Sequence, residues 1–170
     1  KLTKKSTALS RRTDDYRKEG ALLTKKFNIK TNKKYFKGPF LRPAVGRISS
    51  GFAKVRTYNN GNTSSHAGVD IANKKGTTIV APEAGNVVLS EELTIHGHTV
   101  MIDHGFGVVS VFCHLDSRLV RNRKKVSKGD PIGTMGMTGV ASGVHLHWGL
   151  SVQNVRVNPL YWLGSDEKLF

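Results

Sequence analysis

Four of the chain's seven histidines, with one aspartate, fall into three short signatures: His66-Ala-Gly-Val-Asp70, His114 in Val-Phe-Cys-His-Leu, and His145-Leu-His147. Imidazole is the commonest biological metal ligand and the usual proton carrier near neutral pH. His145-Leu-His147, flanked by Val144, Trp148 and Leu150, reads as a strand. Both imidazoles then project to one face while Leu146 packs behind. Gly139 and Gly143 allow a sharp turn or a close backbone approach just before it. The His66–Asp70 spacing would align two ligands on a helix, but Gly68 and Val69-Asp70-Ile71 favour a loop entering a strand. This His and Asp, with one imidazole of the later pair, make three protein ligands and leave the fourth position of a tetrahedral Zn2+ for water. A structural zinc site more usually closes that position with cysteine, and the only thiol is Cys113. The count therefore favours a catalytic zinc. His114 ends the apolar run Gly107–Phe112 and joins this chemistry only if it faces the same cleft.

These residues need a scaffold, and the pattern from Arg47 onward predicts one that is all β. Short runs rich in Val, Ile and Thr recur between Gly, Asn, Asp and Pro: 68–72, 77–81, 86–89, 99–103, 108–114, 131–134 and 144–152. The segment Asp116–Lys125 is the expected place for one helical turn. Earlier, Arg12–Gly20 and Ala21–Ile29 read as two short strands with a turn at Glu19-Gly20, too poor in apolar residues to form a core alone. Pro39 and Pro43 bracket an extended stretch that opens the compact part of the chain.

At 170 residues the chain suits one domain with a real core. No apolar run approaches the roughly 18 residues that span a bilayer. The chain starts at Lys1 without a hydrophobic leader and is expected to be a processed form or an excised fragment. The net charge of +15 is uneven, since residues 1–37 hold 13 Lys/Arg against three acids. That basic arm suits an anionic polymer or a solvated surface rather than a dedicated nucleic-acid site. Cys113 is alone, so no disulfide forms within the chain, and it reads as a small core residue.

The signatures come in a recognisable order. Arg47-Ile-Ser-Ser-Gly-Phe, His66-Ala-Gly-Val-Asp70, Gly76-Thr-Thr-Ile-Val-Ala-Pro-Glu-Ala-Gly85, Asp103-His-Gly, His114-Leu, Val126-Ser-Lys-Gly-Asp-Pro-Ile-Gly133 and Thr138-Gly-Val-Ala-Ser-Gly-Val-His145-Leu-His147-Trp resemble the LytM/lysostaphin-type zinc metallopeptidases, family M23. The resemblance covers about residues 39–163 and ends at Val157-Asn158-Pro159. It implies a mainly β fold, a twisted antiparallel sheet groove akin to the barrel-like hybrid motif of lipoyl carriers. Residues 41–164 would be the peptidase domain and 165–170 a tail. Residues 1–40 would be a basic extension resembling the end of an accessory segment in Gram-negative members.

By resemblance, His66, Asp70 and His147 are the ligands of one zinc ion per chain. His114 and His145 are the unliganded pair, one a general base and the other stabilising the oxyanion or protonating the leaving amine. The implied reaction is endopeptidase cleavage of peptidoglycan, favouring a D,D cross-link, in the periplasm or outside the cell. The alternative is a regulator that binds and activates wall amidases. Two positions depart from the pattern. Phe112 stands where many members have tyrosine, and a cleft tyrosine before the first ligand could only be Tyr58 in Tyr58-Asn59-Asn60. His96, His98 and His104 match no ligand position and read as structural or surface residues, with His104 a minor candidate for supporting the site.

Overall fold

Alternating apolar residues from Val69 onward build one antiparallel sheet with a hydrophobic core on each face. The computed structural model describes the backbone of residues 4–57 and 63–165, and side chains over 12–55 and 63–165. The elements in chain order begin with α1 (Lys4–Phe27), β1 (Arg47–Ser50), β2 (Val55–Thr57), β3 (Thr63–Ser65), β4 (Val69–Ala72) and β5 (Thr78–Val80). The long central strands β6 (Gly85–Leu93), β7 (Gly97–Gly105) and β8 (Val108–Arg118) follow. Then come β9 (Lys125–Val126), β10 (Pro131–Met135), β11 (Leu146–Val152), β12 (Val155–Val157) and a 3-10 turn at Pro159–Trp162.

The main sheet runs β1-β4-β11-β8-β7-β6-β9, with β10 joining β5 to β8 and β12 pairing β11. The fold is mainly β, as the spacing of short runs predicts, and the sheet is not closed into a barrel. Its two faces can be read residue by residue. Val108, Phe112, Ile71, Trp148 and Leu150 enter one core; Val109, Val111, Cys113 and Met101 enter the other with Leu23 and Phe27 of α1. Period-two alternation is the cause. Residues 31–40 bind across the end of β7 and onto the 3-10 turn: Thr31 Oγ1 donates to Asp103 at 2.6 Å, and Phe40 N–H donates to the Trp162 carbonyl at 2.7 Å.

Two expectations are corrected. Arg12–Ile29 forms no strands; α1 occupies it through Phe27. Tyr16, Glu19, Leu23 and Phe27 recur at three- and four-residue intervals, and the Lys, Arg, Leu and Ala between them are good helix formers. The stripe is half polar, which conceals the period. Asp116–Lys125 forms no helical turn either. β8 continues through Arg118 because Ser117 and Arg118 pair with Thr134 and Gly133 of β10. Among the described residues, no helix is long and apolar enough to cross a membrane.

The β6–β7 connection bears on the site. Gly97 adopts φ +66, the left-handed geometry that a three-residue hairpin loop requires. A Cβ there would lie 2.5 Å from the Thr138 carbonyl carbon, so the loop of residues 138–140 packs directly on the hairpin tip. Val140 N–H donates to Ile95 O at 2.8 Å and closes this seam.

Candidate active site

Strand register assembles the first three residues. Asp70 on β4 and His147 on β11 are directly paired across the ladder, so both side chains leave the sheet on the same face. His66 sits in the loop entering β4. Gly68 lets that loop close in, since a Cβ there would lie 2.5 Å from Trp148 O and 2.9 Å from His147 Cε1. As a result His66 Nε2 and His147 Nδ1 are 3.0 Å apart, and Asp70 Oδ1 lies 3.0 Å from the former and 2.9 Å from the latter. Both His66 and Asp70 are buried.

The tautomers show what this triangle suits. His66 Nδ1 lies 2.8 Å from the Gly51 carbonyl and must donate to it, which leaves Nε2 with a bare lone pair. That lone pair faces another ring nitrogen and a carboxylate oxygen. Burial alone would raise the Asp70 carboxyl; its contacts with the His147 and His66 rings at 2.9 and 3.0 Å outweigh it and hold the group well below the usual carboxylate range. Burial lowers His147, against the pull of Asp70, and so favours its neutral, ligating form. Two nitrogens and one anionic oxygen, mutually about 3 Å apart, approach the ligand spacing of about 3.3 Å set by metal bonds of about 2.0–2.1 Å. Among the described residues these three form the group able to hold a metal ion, and the donor set fits zinc with one position left over.

His114 and His145 border the same cleft with ring centroids 4.9 Å apart. His145 precedes β11 in the same alternation as His147, and its Nε2 lies 3.9 Å from Asp70 Oδ1. His114 reaches the cleft differently. Val109, Val111 and Cys113 face α1, so alternation would send residue 114 into the opposite core. It does not, because His114 adopts φ +63, and the phase flips so that Leu115 enters that core instead. This is a bulge that re-aims one side chain. His114 N–H donates to His96 O at 2.9 Å, which fixes the kink.

Each of the pair donates Nδ1–H to a carbonyl, His114 to Thr138 at 2.9 Å and His145 to Gly143 at 2.8 Å. Each Nε2 is left as the proton-accepting atom. Burial lowers His114 to about 4 against the Thr138 bond, with the neighbouring His145 adding to the fall, so its ring is neutral at pH 7.

The remaining predicted positions separate. Phe112 is fully buried in the core away from the cleft, so a hydroxyl at that position could not reach the site. Tyr58-Asn59-Asn60 lie outside the described residues. His98 is tied to the Asp116 carbonyl, and His104 is fully buried between Ala84 O and Ser110 Oγ, away from the cleft. His96 does border the cleft and is held by Glu19 of α1 at 2.7 Å.

Sequence reading missed Glu19, Thr138, Arg12 and Tyr16. The last two line the cleft from the helix. The i, i+4, i+7, i+11 spacing of Arg12, Tyr16, Glu19 and Leu23 is the signal that could have found them.

Known proteins resemble this chain in sequence and fold. The model of peptidase family M23 matches residues 64–159. The peptidoglycan DD-endopeptidase ShyC of Vibrio cholerae is 34% identical over 131 residues, covering 75% of this chain and 30% of that protein. The murein hydrolase activator NlpD of Escherichia coli is 38% identical over 122 residues, covering 71% of this chain and 30% of that protein. The chain thus spans under a third of the length of these curated relatives. A crystal structure of a zinc-containing peptidase from Vibrio cholerae superposes with a TM-score of 0.67 at 29% identity, covering 71% of this chain and 39% of that one. With the family model matched over more than half its residues, the chain belongs to peptidase family M23.

Proposed function

We propose that the chain is a zinc-dependent endopeptidase that hydrolyses peptide bonds in peptidoglycan stems or cross-links, with the D-alanyl–diaminopimelate cross-link favoured. The observation that carries this reading is the convergence of His66, Asp70 and His147 in one cleft with two histidines whose Nε2 atoms are free. His66 Nε2, Asp70 Oδ1 and His147 Nδ1 would hold the metal. When bound, zinc supplies Lewis-acid chemistry, acidifying water and polarising a peptide carbonyl.

The chain's own residues move the protons. One of His114 and His145 accepts a proton at Nε2 from the water that attacks the scissile carbonyl. The other, once it carries a proton on Nε2, donates it to the oxyanion or to the leaving amine. The first then holds the proton taken from water, so one proton is lost by water and one gained by the amine, and the pair has exchanged roles for the next turnover. The Thr138 and Gly143 carbonyls keep both rings in the required tautomer. Residues 41–164 would form the peptidase unit, with 1–40 a basic extension, and the site of action would be the periplasm or the outer surface.

A second reading has direct support. NlpD, named for activating murein hydrolases, is as similar as the named endopeptidase. A regulator partnering wall amidases does not need all five residues, however, and this chain has them. Metal analysis together with mass spectrometry of fragments released from purified peptidoglycan separates the two. The enzyme reading expects one zinc per chain and defined cross-link cleavage. His114→Ala and His145→Ala should keep zinc and lose about 10²–10⁴-fold in rate. Full zinc with no cleavage favours the activator, and zinc far below one per chain overturns the metal site.

A further inference from the structure

The helix α1 does more than cover the sheet. Its domain-facing stripe is Arg12, Tyr16, Glu19, Leu23 and Phe27, and each part meets something different. Leu23 and Phe27 are buried against Met101, Val109 and Val111 on the same sheet face as the site. Glu19, 7% exposed, accepts from Ile95 N–H at 2.9 Å, His96 N–H at 3.1 Å and His96 Nδ1 at 2.7 Å. That clamp sets the rotation of the helix beside the cleft. One and two turns further towards the N-terminus, Tyr16 and Arg12 project along the same stripe and line the cleft with His66, His114, His145 and His147.

The chemistry of this wall is specific. Asp70 is the only carboxylate among the described residues lining the cleft, and it lies within 3.0 Å of two imidazoles. Among the described residues Arg12 is the only guanidinium or ammonium lining it, and it has no ion pair among them. The Tyr16 hydroxyl, on a half-exposed ring, likewise has no hydrogen-bond partner among them. A guanidinium and a phenol one helical turn apart present planar, bidentate donors suited to a carboxylate. The cleft, at about 680 Å³, takes a short peptide.

We propose that Arg12, assisted by Tyr16, is a specificity-determining residue that binds a free carboxylate of the substrate beside the scissile bond. This rests on the endopeptidase reading above and deepens it. In a cross-link through the amine of diaminopimelate, a carboxylate stands on the carbon that bears the scissile nitrogen. Arg12 recognises that group, and a carboxamide in its place loses the charge-assisted pair.

The test uses the full 170-residue chain with zinc and two dimeric muropeptides, one with the diaminopimelate carboxylate free and one with it amidated. Wild type should show a KM about tenfold lower for the carboxylate form, with kcat within about twofold. Arg12→Ala should erase that preference by raising KM for the carboxylate dimer alone, and Arg12→Lys should restore part of it. Arg12 is exposed on a helix held by Leu23 and Phe27, so an unchanged circular dichroism spectrum is expected for both variants.

An equal carboxylate preference in wild type and Arg12→Ala overturns the proposal. So does faster cleavage of both dimers by Arg12→Ala, which would make the helix an occluding wall. If wild type cuts neither dimer, the endopeptidase reading fails while the wall remains testable by calorimetric binding of the uncuttable monomeric muropeptides. Weaker binding of the carboxylate monomer alone by Arg12→Ala then supports the proposal, and no difference overturns it.

Discussion

Gly68 holds little chemistry of its own, yet the metal triangle depends on it. The His66 loop reaches His147 only because no Cβ stands between Gly68 and the Trp148 carbonyl, where the gap would be 2.5 Å to backbone that β11 pairing fixes. Gly68→Ala must therefore push His66 outward by some tenths of an ångström, while Asp70 and His147 stay paired across the ladder. Zinc affinity should fall by about ten- to a hundredfold, as expected for loss of ligand positioning, with unfolding cost limited to about 1–3 kcal/mol. A chelator competition titration checks this; unchanged affinity would mean that the loop tolerates the methyl group. At this scale the shared face of His145 and His147 and the loop before Asp70 were legible in the sequence. Period-two spacing puts His145 and His147 on one face, and Gly68 before Val69-Asp70-Ile71 signals a loop entering a strand. The orientation of His114 was not legible, because it depends on a φ of +63 that no neighbouring residue type encodes.

Between elements, a single carboxylate joins the helix to the hairpin that supports His114. Burial would raise the Glu19 carboxyl, but its hydrogen bonds from His96 and Ile95 prevail and hold it below the usual range. His96 is shared: Glu19 holds its N–H and ring, and its carbonyl holds the His114 N–H at 2.9 Å. Removing the carboxylate leaves the Ile95 N–H buried without a partner and frees the hairpin tip. Glu19→Ala should cost about 2–4 kcal/mol in denaturant unfolding. It should also lower kcat with zinc content unchanged, because the proposed metal ligands His66, Asp70 and His147 lie in the loop before β4, on β4 and on β11. Amide exchange of Leu23 and Phe27 should rise with it if the helix loosens; protection equal to wild type would show that Leu23 and Phe27 alone hold the helix. The strands were readable because short runs rich in Val, Ile and Thr recur between Gly, Asn, Asp and Pro. The helix was not, because Arg12, Tyr16 and Glu19 make half of its inward stripe polar, and the partners of Glu19, Ile95 and His96, are 76 and 77 residues away in sequence.

For the molecule as a whole, the number of buried neutral histidines sets how acid acts on stability. His104 is fully buried on β7, donating Nδ1–H to Ala84 O at 2.9 Å and accepting from Ser110 Oγ at 2.9 Å, with its ring 4.9 Å from Phe40. It thereby ties β7 to β8, to the turn before β6 and to the aromatic cluster that anchors residues 36–40. Burial pushes its pKa down to about 4, although the Ala84 bond and the nearby Asp103 and Glu83 pull the other way. In the unfolded chain the same ring titrates near 6.5. Between pH 6.5 and 4 the unfolded state therefore binds a proton that the folded state refuses. Stability is complete above pH 6.5 and falls as the pH drops towards 4, by about 3 kcal/mol from this one group. His114, neutral from burial as well, acts in the same direction. Glu19 adds its loss below the ordinary glutamate range, and a chain with a net charge of +15 gains further repulsion as its acids protonate. Denaturant unfolding at pH 7 and pH 4.5 isolates the His104 share: His104→Gln is less stable at both, but should lose about 2 kcal/mol less than wild type over that interval. Equal losses in the two proteins would mean that His104 accepts its proton without opening the core.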